Sequence, residues 1–177
     1  GTIDLFMLYD ESGISGTREV SRALVKFDIT SLKKYSSSIL SLDGMKAILR
    51  MKSIAAGNSC PNNFTISSFP LAKSFAEGIG RDVISFSDVG SSNYLSSSDG
   101  VLWNASGCMS SGASGSAGCD FYSSANFGNG TISLESSQLF VNGNEDLALD
   151  VTSVVSATIL DKLNDNGFRI SYELVII

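Results

Sequence analysis

The sequence predicts an all-β domain with one short helix near its C-terminal end, and three stretches carry that prediction. In Ser21–Thr30, Ala23, Val25, Phe27 and Ile29 alternate with Leu24, Lys26 and Asp28. In Met45–Lys52, Met45, Ala47, Leu49 and Met51 alternate with Lys46, Ile48, Arg50 and Lys52. In Phe168–Ile177, Phe168, Ile170, Tyr172, Leu174 and Ile176 alternate with Arg169, Ser171, Glu173, Val175 and Ile177. An extended backbone points successive side chains to opposite faces, so each stretch lays one apolar row on a core and a mixed row outside. Ser21–Thr30 is the organising strand on this reading, and a charge at Val25 or Phe27 is expected to prevent folding.

The other elements follow in chain order. Ile3–Tyr9 reads as the first strand, joined through the turn-rich residues 10–17 to Ser21–Thr30. Ser31–Tyr35 has room for one helical turn. Gly57-Asn58 and Pro61-Asn62-Asn63 mark a loop, after which Phe64–Phe69 is a short strand stopped by Pro70. From Leu71 to Gly130 short apolar pairs lie among Gly, Ser, Asn and Asp with no sustained period. That reads as elaborated surface loops carrying function, with Met109–Gly118 the most flexible and removable part. Thr131–Leu134 and Leu139–Val141 are strand pieces, Asn142-Gly143-Asn144 is a turn, and Leu147–Val151 is a strand with Leu147, Leu149 and Val151 on one face. Val151, Val154, Val155, Thr158, Ile159, Lys162 and Leu163 then fall at helical spacing, with Asp150 or Thr152 as the cap of a helix over Thr152–Leu163.

A length of 177 residues fits one domain, 1–177, with its own core. The run Leu174–Ile177 is apolar where a terminus is ordinarily polar, which reads as part of a longer chain. A net charge of -6 without a basic run argues against a nucleic-acid groove, because phosphate binding needs clustered Lys and Arg. No apolar run approaches the ~20 residues that span a bilayer, so membrane insertion is not expected.

Histidine is absent, which removes Ser-His-Asp and Cys-His catalysis and imidazole metal sites together. No zinc, nucleotide or nucleophile-elbow motif appears. Glu77 with Asp82, and Glu145, Asp146 and Asp150, are the carboxylate groupings left for acid–base work. Asn142, Asn144, Glu145 and Asp146 offer oxygen ligands to calcium but lack EF-hand spacing, and a solvated hairpin turn is the favoured reading. No enzyme activity, metal or cofactor is expected. Of the three cysteines, Cys60, Cys108 and Cys119, the last two flank a Gly/Ser loop that would let them meet in a disulfide; three reduced thiols is the favoured state. Phe75, Tyr94, Trp103 and Tyr122 are the aromatics of the irregular region, set either to stack on a ligand or to pack under loops.

Some of these stretches resemble known proteins. Ser21–Thr30 (SRALVKFDIT) resembles the R-x-L-hydrophobic-K-F-D strand of DNRLRE-type and related carbohydrate-binding-module-like β-sandwiches. Asp146–Val155 followed by Asn166–Tyr172 resembles the D-V-T and N-G-F-x-I end of the same domains. Ser74–Asp82 (SFAEGIGRD), Phe86–Leu95 (FSDVGSSNYL) and the opening Leu5–Gly13 are similar to stretches of uncharacterised virion structural proteins of marine tailed bacteriophages. The resemblance covers most of the chain apart from Ser106–Gly118, and Phe75 and Tyr94 stand where those proteins carry tryptophan. It implies a two-sheet antiparallel jelly-roll-like sandwich. It also implies a non-enzymatic structural component of a tailed-phage virion, in tail, baseplate or capsid surface, acting through contacts with other virion proteins or with itself. The alternative is a carbohydrate-binding module or host-glycan adhesion domain. On either reading the contacts are expected within 71–130, at Phe75, Tyr94, Trp103 and Tyr122.

Overall fold

The structure is a computed structural model that describes residues 9–10, 19–35, 45–54, 62–78, 90–128 and 130–172. Its strands are β1 (Tyr9–Asp10), β2 (Glu19–Val20), β3 (Arg22–Val25), β4 (Ile48–Met51), β5 (Phe64–Pro70), β6 (Ser96–Ser98), β7 (Val101–Leu102), β8 (Ser111–Ala113), β9 (Phe121–Asn126), β10 (Thr131–Ser133), β11 (Ser136–Phe140), β12 (Leu147–Asp150) and β13 (Phe168–Tyr172). A 3-10 helix covers Thr30–Tyr35, and the one α-helix among the described residues, α1, covers Thr152–Ile159. The fold is therefore all-β and sandwich-like with a single short helix, as the sequence predicts. The strand predicted at Ile3–Tyr9 falls outside the described residues except for Tyr9, which pairs with Val20.

The main sheet has the order β11-β5-β13-β3, antiparallel throughout. Register sets its two faces, since residues opposite one another across an antiparallel ladder share a side. On the first face Ala23 and Ile170 sit opposite each other, beside Val25, Phe168, Ile66 and Phe140. These pack with Leu49 of β4, Leu147 and Leu149 of β12, and Val154 and Ala157 of α1 in one buried cluster. The β4–β12 ribbon and α1 thus form the layer opposing the sheet. Phe64 stacks on Phe140 with ring centroids 4.9 Å apart, closing one end. The second face carries Leu24 and Phe69, which cover a smaller cluster of Leu71, Trp103, Cys108 and Phe121.

The organising strand is shorter than its alternation. Val25 ends β3; Phe27 is 49% exposed and lines an apolar groove of about 400 Å³ beside α1, so it is not a core residue. The backbone turns there because Asp28 Oδ1 accepts from Thr30 N (3.0 Å), which starts the 3-10 helix. At the other end of the chain, α1 stops at Ile159, before the predicted Leu163, although Leu163 is still buried. Asp150 Oδ1 accepts from Thr152 N (3.1 Å) at its start, and Thr152 Oγ1 accepts from Ala47 N (2.9 Å), stitching the helix to the strand layer. Gly167 then turns the chain into β13 with φ of 88°, and a Cβ there would collide with the Val25 carbonyl oxygen.

The region predicted as loops is more ordered than its composition suggests. Its described residues hold β6–β7, an antiparallel hairpin, and β8 and β9, which run parallel to each other and, with β10 just beyond the region, form the sheet β10-β9-β8. Ser111–Ala113 is thus a strand, so Met109–Gly118 is an integral segment and not a removable loop. Cys108 and Cys119 are both free and buried; the disulfide weighed from the sequence is not made in this structure. Cys108 packs with Trp103 and Phe121, while Cys119 Sγ donates to Ser116 O (3.3 Å). Cys60 falls outside the described residues.

Candidate functional site

The second face of the main sheet is where polar groups gather. Arg169, on the central strand β13, is buried. Its guanidinium carbon lies 4.5 Å from the Phe121 ring centroid and 5.9 Å from that of Phe69, and Nη1 donates to Ser171 Oγ (2.8 Å). Burial, the nearby Arg22 charge adding to it, lowers the Arg169 pKa to about 10. Cys108 sits in the same group, and burial pushes its thiol up to about 12, with Arg169 pulling the other way. So high a value keeps the thiol protonated and unreactive at neutral pH.

One fully buried carboxylate organises the loops above this layer. Asp120 Oδ1 accepts from Asn104 N (2.7 Å) and Asn104 Nδ2 (3.0 Å). Its Oδ2 accepts from Ala105 N (3.0 Å) and Ser110 N (3.1 Å), and Lys73 Nζ lies 4.0 Å from Oδ1. Backbone donors that would otherwise be orphaned in an irregular segment are thereby satisfied. Nothing in the sequence marks this role: an acidic residue between Cys119 and Phe121 in a Ser/Gly-rich stretch looks like any solvated one.

Beside this clamp lies a cleft of about 740 Å³ along β3, the edge strand of the main sheet. Trp103 and Cys108 are in its floor, Phe75 in its wall, and Tyr94, Glu77 and Lys26 at its mouth. Three of the four aromatics singled out from the sequence, Phe75, Tyr94 and Trp103, therefore meet in one place. Tyr122 does not: it is half-buried against the main core cluster. Trp103 is only 6% exposed and its Nε1–H donates to Asn93 O (2.8 Å), so it is a packed floor and not a free stacking platform. Tyr94 is the reverse, 66% exposed. Asn93 holds it there: Oδ1 accepts from Leu95 N (2.8 Å) and Ser96 N (3.0 Å), and Nδ2 donates to Ser96 Oγ (2.8 Å). Gly107 donates its N–H to Tyr94 O, and with φ of 76° it leaves room for the Tyr94 ring and Arg22 Nη1, which a Cβ would approach to 2.9 and 3.1 Å.

The other groupings read from the sequence have local partners. Glu145 Oε1 accepts from Val141 N (2.9 Å) and Asn142 N (2.8 Å), which lowers its pKa, and Asp146 Oδ1 accepts from Ser53 N (2.8 Å). Among the described residues no group of three His, Cys, Asp or Glu is arranged to hold a metal ion. Asp82, partner of Glu77 in the sequence reading, lies outside the described residues. No family model matches this chain, and no curated protein and no solved structure matches it either.

Proposed function

We propose that the chain is a non-enzymatic docking domain, a structural component of a tailed-phage particle that acts through protein–protein contacts. The observation that supports this best is the apolar surface of the β6–β7 hairpin. Val101 and Leu102 on β7, with Tyr94 and Leu95 in the bend that leads into β6, are 44%, 67%, 66% and 60% exposed. Four large apolar side chains on and beside one short hairpin are what an interface needs, since buried aromatic and aliphatic anchors supply most binding energy. The hairpin is also held firmly from beneath, by Trp103 N to Leu95 O (3.0 Å) and Lys73 Nζ to Leu102 O (2.7 Å), so docking costs little ordering entropy. The assignment to a virion, and the jelly-roll connectivity, rest on the resemblance carried by Ser21–Thr30, Ser74–Asp82 and Phe86–Leu95.

The test is a Leu95→Asp, Leu102→Asp double variant. Both positions are exposed, so the isolated protein should melt as wild type, while mass spectrometry of purified particles should show the variant lost. Incorporation at the wild-type level rejects the hairpin as the interface.

A second reading, binding of a host-surface glycan, is favoured by one feature, the cleft beside the hairpin. Its volume falls within the ~300–1,000 Å³ of small-ligand sites, and Tyr94 presents a largely exposed ring at its mouth.

A further inference from the structure

We propose that the cleft along β3 is a site for a carboxylate-bearing sugar, with Arg22 as the residue that takes the carboxylate; this rests on the glycan-binding reading and names its ligand class. Arg22 lines the cleft from the edge strand. Its Nε is buried with no hydrogen-bond partner, and its side chain forms no ion pair among the described residues. An arginine carries five N–H donors in a planar fork, and a buried donor left unmade is costly.

The surrounding charge points the same way. Arg22, Arg169 and Lys73 all lie within electrostatic reach of Cys108, and the one carboxylate in that group is Asp120. Asp120 is already committed to Asn104, Ala105 and Ser110. Among the described residues, three cations stand against one spoken-for anion, an imbalance that buried sites ordinarily correct. Burial lowers the pKa of Arg22, the direction expected of a guanidinium without a counter-ion to match its desolvation. Glu77 at the mouth is exposed and makes no ion pair with Arg22.

A carboxylate in the cleft would set an anion beside the outer N–H groups of the Arg22 guanidinium and lessen that imbalance. The geometry favours a sugar as its carrier. The exposed Tyr94 ring beside Arg22 offers the apolar face of a pyranose something to lie on, while Glu77, Lys26 and Ser92 along the same cleft suit hydroxyl groups. A cleft of about 740 Å³ holds one or two such rings.

The experiment is an amide and indole NMR titration of the chain with sodium glucuronate, glucose and sodium sulfate at fixed ionic strength. The chain has one tryptophan, so a single indole N–H signal, that of Trp103, reports from the cleft floor. Glucuronate should move the Trp103 indole and the Gly107 amide saturably, with glucose and sulfate each weaker by about tenfold or more. Arg22→Gln should abolish the preference for glucuronate over glucose, and Arg22→Lys should restore only part of it. Should Arg22→Gln fail to fold, Tyr94→Ala, at an exposed position, should weaken glucuronate several-fold while melting as wild type; unchanged affinity there overturns the proposal. Glucose binding as well as glucuronate, unaffected by Arg22→Gln, overturns the acidic-ligand assignment and leaves the glycan reading standing. Sulfate matching glucuronate reduces the site to an anion hole and overturns the sugar assignment. No response to either sugar sinks this inference and the glycan reading together.

Discussion

Replacing Asp120 with alanine should unfold the loops of the second face and cost about 3–6 kcal/mol. The magnitude follows from the hydrogen bonds that end on its carboxylate. The backbone N–H groups of Asn104, Ala105 and Ser110 lose their acceptor, at about 1–2 kcal/mol each once partial hydration is allowed for. Lys73, already half-buried, loses the anion 4.0 Å away. Asp120→Asn keeps the shape but turns one acceptor into a donor that faces other donors, so it should fall between alanine and wild type. Against the ~5–15 kcal/mol that holds a typical domain, the alanine variant gives up a large share. The assay is urea unfolding followed by Trp103 emission. Trp103 immediately precedes Asn104, is the only tryptophan, and reports from inside the region at stake. A loss below about 1 kcal/mol would show that water replaces the carboxylate freely, and the clamp argument would fail.

Three other outcomes follow from the same fold. Cys108 should resist maleimide in the native protein at pH 8 and react on unfolding. Because its folded pKa is raised, stability should also drain away as pH climbs from about 9 to about 12, which a series of alkaline melts would reveal. Asp28, Glu145 and Asp150 have lowered pKa values, each chiefly from hydrogen bonds to nearby residues. The stability they contribute is complete above the usual carboxylate range and is lost as pH falls through their depressed values; acid melts with and without Glu145→Gln test this. Leu149→Ala, at a site 1% exposed, should cost about 2–5 kcal/mol, whereas Phe27→Asp should stay within about 1 kcal/mol of wild type. Chemical denaturation of the two variants side by side decides between them, and an unfolded Phe27→Asp restores Phe27 to the core.

The first core face was legible in the sequence because period-two alternation and one-sided burial coincide there. Spacing alone places Leu49, Leu147, Leu149 and Ile170 on it, and all are buried. The same rule misread β13 on its other side. Arg169 and Ser171 look like an outer row, yet β13 lies between β5 and β3 with a second cluster over it, and a strand covered on both faces has no outer row. Alternation also does not say where extension stops: the apolar row runs on to Phe27 and Ile29, but the Asp28–Thr30 turn breaks the strand after Val25. Residue type singles out Phe75, Tyr94 and Trp103, because large aromatics in a Gly/Ser-rich stretch need somewhere to pack. Asp120 and Arg22 were not found, since what distinguishes them is the number of partners each has, and that is set by distant segments meeting in space.

The place of β13 governs how this chain can reach its native state. β3 and β5 do not bond to one another; each bonds to β13, which follows every other described strand in the chain. Residues 22–25 must therefore wait for residues 168–171 before the sheet can close. The β5–β11 and β4–β12 pairs can form first, but a chain emerging from the ribosome leaves Ala23 of β3 without its strand partner, so the main sheet closes only once β13 has emerged. Folding should be slow for the chain's size, governed by sequence-distant pairing. Nascent or truncated forms ending before Phe168 should depend on chaperones to stay out of aggregates.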